Sequence, residues 1–221
     1  MTLVGKVAVV DHTEGPVAAA IASALRGAGA RVELLGDDAR APAQAEAEWA
    51  RFGAVDVYVH AGPWSRVETA VPLGDLPDEG FAAAFETPVR RLLWSLRAAH
   101  AHLARPGGRV VVVVPTVAMA GAPGFAATAA AGEAHRQLAK SVARQWGEDG
   151  ISVNVVALDL AVLAPTTADL PPVSLSPPAL GPGAVGDLAA VGRLVTWLAS
   201  DGASALTGAT LSADGGIWMA P

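Results

Sequence analysis

Five consecutive valines, Val110 to Val114, constrain this chain more than any other stretch. A β-branched run without polar alternation suits a strand buried on both faces. Pro115-Thr116 ends the run, and Gly121, Pro123 and Gly124 punctuate the loop that follows. An alanine-rich segment from Phe125 to about Trp146 then has high helix propensity. The unit is strand, loop, helix, and a strand covered on both faces needs helices above and below it.

The remaining segments repeat that unit. Strands are predicted at Lys6–Val10, Arg31–Leu35, Val55–Val59, Ile151–Ala157 and Thr210–Ala213, besides the valine strand. Helices are predicted at Pro16–Gly27, Ala43–Arg51, Pro77–Ala104, Phe125–Trp146 and Val185–Ala199, with a proline-rich loop over Pro165–Pro182. In Pro16–Gly27, apolar Val17, Ile21, Ala24 and Leu25 fall at helical spacing. Strands alternating with helices imply parallel pairing, hence an α/β fold with a doubly wound sheet of six strands, and one domain over residues 1–221.

Composition removes several function classes. The chain has 221 residues, 52% apolar and 16% charged, with a formal charge of −6. That balance offers no attraction to nucleic acid or to an anionic membrane. There is no cysteine, so disulfides and thiolate metal sites are ruled out, which fits a reducing cytoplasm. Asp11 and Glu14 interrupt the first apolar run, against a signal peptide. Val110 to Gly132 carries no charge and is long enough to cross a bilayer, but Pro115, Gly121, Pro123 and Gly124 would break a spanning helix.

Several segments, in order, carry a family resemblance. They are Gly5-Lys6-Val7-Ala8-Val9-Val10, Val55-Asp56-Val57-Tyr58-Val59 ahead of Ala61-Gly62, Ile151-Ser152-Val153-Asn154, Leu206-Thr207-Gly208 and Asp214-Gly215-Gly216. Together they resemble the short-chain dehydrogenase/reductase family over nearly the whole chain. The resemblance implies a Rossmann-like fold and a nicotinamide dinucleotide. It also implies a catalytic set of asparagine, serine and a Tyr-x-x-x-Lys pair, in which tyrosinate works as acid/base beside a lysine that lowers its pKa.

At the functional motifs the sequence departs from that pattern. The family's Thr-Gly-x-x-x-Gly-x-Gly turn would place glycines at 12, 16 and 18, where His12, Pro16 and Ala18 stand. Pro16 removes an N–H from a turn that needs donors, and His12 and Ala18 add bulk where backbone must approach phosphate. Asp11 and Glu14 add negative charge. One carboxylate about 5 Å from a phosphate, at an effective dielectric near 20, costs roughly 3 kcal/mol. A nearby carboxylate could instead cap the helix that Pro16 opens. Gly36-Asp37-Asp38 ends the second strand, with the ribose-binding acid displaced by one position, and both aspartates read as a solvated turn. Only about two dozen residues separate Gly36 from His60, room for one helix, so the third family strand is expected to be deleted. His60-Ala61-Gly62 stands for a shortened Asn-Asn-Ala-Gly turn.

The catalytic positions map onto Pro88 for the asparagine, Thr116 for the serine, and Thr128 and Gly132 for the Tyr-x-x-x-Lys pair, while Leu158-Asp159 replaces a Pro-Gly pair. Neither a threonine hydroxyl nor a glycine can supply that acid/base chemistry, so the expectation is no catalytic set, no bound cofactor and no metal. Halohydrin dehalogenases are family members without a nucleotide, but the residues they use are also missing at Thr128 and Gly132.

Among the other candidates, His100 and His102 are two apart on a helix and do not share a face, which argues against a metal pair. His135 is expected at a helix surface or interface. His12, His60, Asp11 and Glu14 should gather at the carboxyl ends of the first and middle strands, where ligands of such sheets bind. The reading favoured by the sequence is a non-catalytic subunit that supports an active paralogue in a hetero-oligomer, or pairs with itself. It would use the 77–104 and 125–146 helices and the tail Ile217-Trp218-Met219. The alternatives are a cofactor-independent enzyme using the His/carboxylate cluster and an atypical NAD(P)-dependent oxidoreductase.

Overall fold

The computed structural model describes residues 1–11, 14–36, 41–67, 69–168, 178–181 and 185–219. His12, Asp37, Asp38 and much of the proline-rich loop lie outside the described residues.

Six parallel strands form one sheet in the order β2-β1-β3-β4-β5-β6. They are β1 (Val7–Asp11), β2 (Arg31–Leu35), β3 (Val57–His60), β4 (Arg109–Pro115), β5 (Ser152–Leu158) and β6 (Thr210–Ser212). The valine strand is central: Val111 pairs with Val59 on one side and Asn154 on the other. None of Val110 to Val114 is more than 1% exposed, as a run with no polar alternation requires. Helices α1 (Pro16–Gly27) and α8 (Leu188–Leu198) pack together, and α2 (Pro42–Trp49), α4 (Thr87–His102) and α6 (Ala126–Trp146) form a second contiguous group. The strand order reverses between β1 and β3, and sheets of this type bind ligands outside the carboxyl ends of the strands at that point.

The late sequence segments have local structural jobs. Asn154 donates from Nδ2 to the carbonyl of Leu206 and accepts from the N–H of Ala209, tying β5 to the turn before β6. Thr207 Oγ1 accepts from the N–H of Val153. The Asp214 carboxylate accepts from the N–H groups of Gly216 and Trp218, which folds the tail back. Ile217 is buried in its own chain, while Met219 stays exposed.

One predicted element differs from the structure. The continuous helix expected over Pro77–Ala104 is three pieces: α3 (Asp78–Phe81), a π-helical turn at Ala82–Glu86, and α4. Pro88 explains the break, because it has no N–H to donate to the preceding turn; Thr87 N–H reaches back to Ala82 instead. The charge-free stretch from Val110 to Gly132 divides among β4, α5 (Val117–Ala120) and the start of α6. Among the described residues no helix is long and apolar enough to cross a membrane.

Candidate functional site

At the carboxyl end of β1, Asp11 is only 2% exposed, and its carboxylate faces β3. Tyr58 Oη donates to it at 2.6 Å, the N–H of Ala61 at 2.9 Å, and His60 Nδ1 lies 2.7 Å away. Tyr58 and His60 are two apart on a strand and therefore share a face, a signal the sequence carried but the motif comparison passed over. With the Asp11 carboxylate as acceptor, His60 donates from Nδ1.

His60 stacks on His135 with ring centroids 5.3 Å apart, and His135 Nδ1 lies 2.7 Å from the carbonyl of Ala131. His135 is completely buried, which corrects its expected place at a surface or interface. Trp64 meets His135 edge-on at 5.1 Å and donates its indole N–H to the carbonyl of Val113 at 2.8 Å. Gly62, at φ 77°, permits this: a Cβ there would lie 2.0 Å from Trp64 Nε1. The expected cluster is thus partly redrawn. Asp11 and His60 meet, His135 and Trp64 join them, Glu14 is exposed, and His12 is outside the described residues. Trp64 was missed because a lone tryptophan after a glycine has no motif to announce it.

The opening of α1 is a glycine. Its N-cap is Gly15, which has no side chain of its own to cap the helix, and its first turn holds no acidic residue. Asp11 is committed to Tyr58, His60 and Ala61, so the penalty drawn for a carboxylate facing phosphate does not apply to it as a ligand-facing group. Pro16 takes the first helical position, where a missing N–H is least felt, and Ala18 is buried in the core. Gly36 is exposed just beyond β2.

The positions mapped onto the catalytic set differ in kind. Thr116 Oγ1 is buried and makes no hydrogen bond among the described residues. Thr128 is 6% exposed, and Pro88 is buried; both line a cavity of about 560 Å³ between the 63–71 segment, the α3–α4 region and the start of α6. Gly132 is packed hard: a Cβ there would sit 2.7 Å from Ala118 Cβ and 3.2 Å from Pro115 Cδ. No lysine can occupy this position without moving α5. Asp159, where a Pro-Gly pair was expected, accepts from the N–H of Ala161 and opens α7 (Leu160–Leu163). Burial raises its carboxyl above the ordinary 3.8, against the Ala161 N–H, with the nearby Asp214 adding to the rise.

The other histidines go separate ways. His100 stacks on Trp146 with centroids 4.5 Å apart, and His102 Nδ1 contacts the carbonyl of Gly53. Among the described residues no group of three or more His, Asp or Glu side chains is placed to hold a metal.

Comparison with known proteins agrees with this architecture. A family model described as enoyl-(acyl carrier protein) reductase matches residues 6–218. A 12alpha-hydroxysteroid dehydrogenase of Clostridium sp. (strain ATCC 29733 / VPI C48-50) is 28% identical over 181 residues, covering 78% of this chain and 67% of its own. The 3-oxoacyl-(acyl-carrier-protein) reductase of Escherichia coli (strain K12) is 30% identical over 175 residues, covering 77% and 69%. Among solved structures, a short chain dehydrogenase from Burkholderia cenocepacia J2315 in complex with NADP superposes with a TM-score of 0.84 at 25% identity, covering 98% of this chain and 99% of that one. A dehydrogenase/reductase from Sinorhizobium meliloti 1021 gives 0.84 at 25% identity, covering 98% and 96%. The chain belongs to the short-chain dehydrogenase/reductase family, and it resembles NAD(P)-dependent oxidoreductases. These relatives overturn the expectation of a non-catalytic subunit: they are dehydrogenases and reductases by name, and one structural neighbour holds NADP.

Two measurements test the site's construction. Gly132→Lys, which restores the family's residue type, should lower stability by about 1–3 kcal/mol in urea denaturation, because the added side chain overpacks Pro115 and Ala118. For Asp159, the folded pKa lies above the unfolded one, so the unfolded chain releases that proton first and folding is disfavoured once pH rises past the ordinary carboxyl range. Asp159→Asn, which keeps an acceptor for Ala161, should therefore melt higher than the parent at pH 7. The two melting curves should converge on acidification below 3.8.

Proposed function

We propose that this protein is an atypical oxidoreductase of its family, using a nicotinamide nucleotide and taking its substrate into the cavity beside Thr128. The observation that supports this reading is the opening of α1: its N-cap Gly15 brings no side chain, its first turn holds no acidic residue, and the Asp11 carboxylate is turned inward to Tyr58, His60 and Ala61. A helix N-terminus in that state favours an anion through its N–H groups and its dipole. The residues fit the phosphate end of a dinucleotide, with Gly15, Val17 and Ala18 supplying backbone to hold it. At the other end they lack the family's tyrosine and lysine, and nothing in this reading restores that pair.

A bound nicotinamide supplies hydride transfer, the chemistry common to such cofactors. The chain's own residues bind and orient. Thr128 lines the cavity, and its hydroxyl is the group on that wall able to hydrogen-bond a carbonyl or hydroxyl oxygen of the substrate. It does not titrate near neutral pH, so it positions that oxygen and does not act as acid or base. Trp64, fixed by its bond to Val113, and Phe125 form apolar walls that keep water from part of the site. Without a positioned general acid, turnover should be about 10²–10⁴-fold slower than with one. β2 is the edge strand of the sheet on the adenine side, so on this reading binding comes more through the phosphates than through the base.

Calorimetric titration with NADPH and NADH tests the reading. Saturable binding of either is expected in the micromolar to submillimolar range. Gly15→Asp should weaken that binding at least about tenfold, because its carboxylate takes the first-turn N–H groups and repels phosphate. The same substitution should raise the melting temperature by supplying a side-chain cap. Absence of heat with both nucleotides up to millimolar concentration, with the protein folded, contradicts the proposal.

A further inference from the structure

The sheet ends at β2, and among the described residues no strand pairs with its outer edge. On the inner side β2 runs in register with Val7–Asp11, and the N–H of Arg31 donates to the carbonyl of Lys6. Backbone groups alternate in direction along a strand. Arg31, Glu33 and Leu35 therefore direct theirs to β1, while Val32 and Leu34 turn theirs outward. Arg51 marks that outer side, since its guanidinium donates to the Leu34 carbonyl at 3.0 Å. Arg31 and Glu33, two apart on one face of the strand, form an ion pair with each other. Arg31 and Leu34 are exposed, and Glu33 is half-buried. An open edge is a template for another strand, and the charges along it decide which strand is admitted.

We propose that the β2 edge binds a second copy of this chain, whose own β2 adds antiparallel about a two-fold axis at Val32. In that register the two Val32 residues exchange both N–H···O bonds, and Arg31 of each copy stands opposite Glu33 of the other. Leu34, an exposed apolar side chain, is brought over the start of the other strand at Ala30. The alternative axes are disfavoured by charges and bonds already in place. An axis at Arg31 or at Glu33 sets like charges face to face. An axis at Leu34 needs two carbonyls that Arg51 already fills. The order Arg31-Val32-Glu33 is thus its own complement when reversed, and that is what names a second copy as the occupant. The opposite edge, β6 (Thr210–Ser212), has three residues and no charge, so it carries no such pattern. A pairing of five-residue strands is a small contact, which gives a dissociation constant on the order of 100 µM. The edge shares no residue with the cavity beside Thr128 or with the opening of α1, so the inference stands apart from the nucleotide reading.

Sedimentation equilibrium of the full chain tests this, without nucleotide and with the fold of each variant checked by circular dichroism. The parent should associate reversibly at protein concentrations on the order of 0.1 mM. Arg31→Glu and Glu33→Arg each give the edge charges of a single sign, and each should weaken self-association about tenfold or more. Mixing the two variants in equal amounts should restore association to the parent's level, because unlike charges again stand opposite each other across the axis. A loss of fold in either variant could not produce that recovery. A parent that stays monomeric up to about 1 mM overturns the inference. So does self-association that neither variant weakens, as contact through another surface would give, and so does weakening that mixing fails to reverse.

Discussion

A single buried carboxylate organises the ligand end of this sheet. Asp11 closes β1 at the point where the strand order reverses, and it is held by Tyr58, His60 and the backbone of Ala61. An unpaired charge there would be severely destabilising, so the neighbouring strand has to provide donors. Two of them come from alternate residues of β3 and the third from the turn that follows it. Satisfying Asp11 therefore fixes the rotation of Tyr58 and His60 and the start of the Ala61-Gly62 turn. His60 in turn stacks on His135, and His135 meets Trp64 edge-on, so the constraint runs from β1 through β3 to α6 and the edge of the cavity.

This chain of contacts changes the meaning of the charge at the end of β1. Considered as a sequence, Asp11 is a negative group where phosphate should bind. In the folded protein it is an internal acceptor, and α1 opens at Gly15, which has no side chain, with no acidic residue in its first turn. The electrostatic objection to a dinucleotide thus loses its main support, while the chemical objection at the reacting end keeps its force. Gly132 pressed on Pro115 and Ala118 has no room for a lysine, and Thr128 has no useful pKa. On the proposed reading the opening of α1 anchors an anionic cofactor, and the reacting end serves mainly position and exclusion of water.

Much of the fold was legible because it is written in local patterns. The valine run, the helical spacing in Pro16–Gly27 and the short 36–60 connection each follow from steric and length limits that tertiary structure does not override, and the six-stranded sheet follows from them. The break before Thr87 is legible in the sequence, since Pro88 cannot donate a helical hydrogen bond. The site was less legible for a different reason. His135 and Trp64 acquire their roles only through contacts with residues far away in sequence, and Asp11 reverses its role because Tyr58 and His60 happen to lie opposite it. A charge in a sequence has a sign but no direction. The expectation of a supporting subunit came from missing family residues, and the relatives' dehydrogenase and reductase identities argue against it.

The central claim is that the opening of α1 holds the phosphates of a nicotinamide nucleotide. The most direct measurement is a titration of isotopically labelled protein with NADPH, following the backbone amide resonances of Val17 and Ala18 by nuclear magnetic resonance. The account predicts that these two amides move downfield and saturate together, as N–H groups do on donating to an anion. Saturating NADPH that leaves both resonances in place would contradict it.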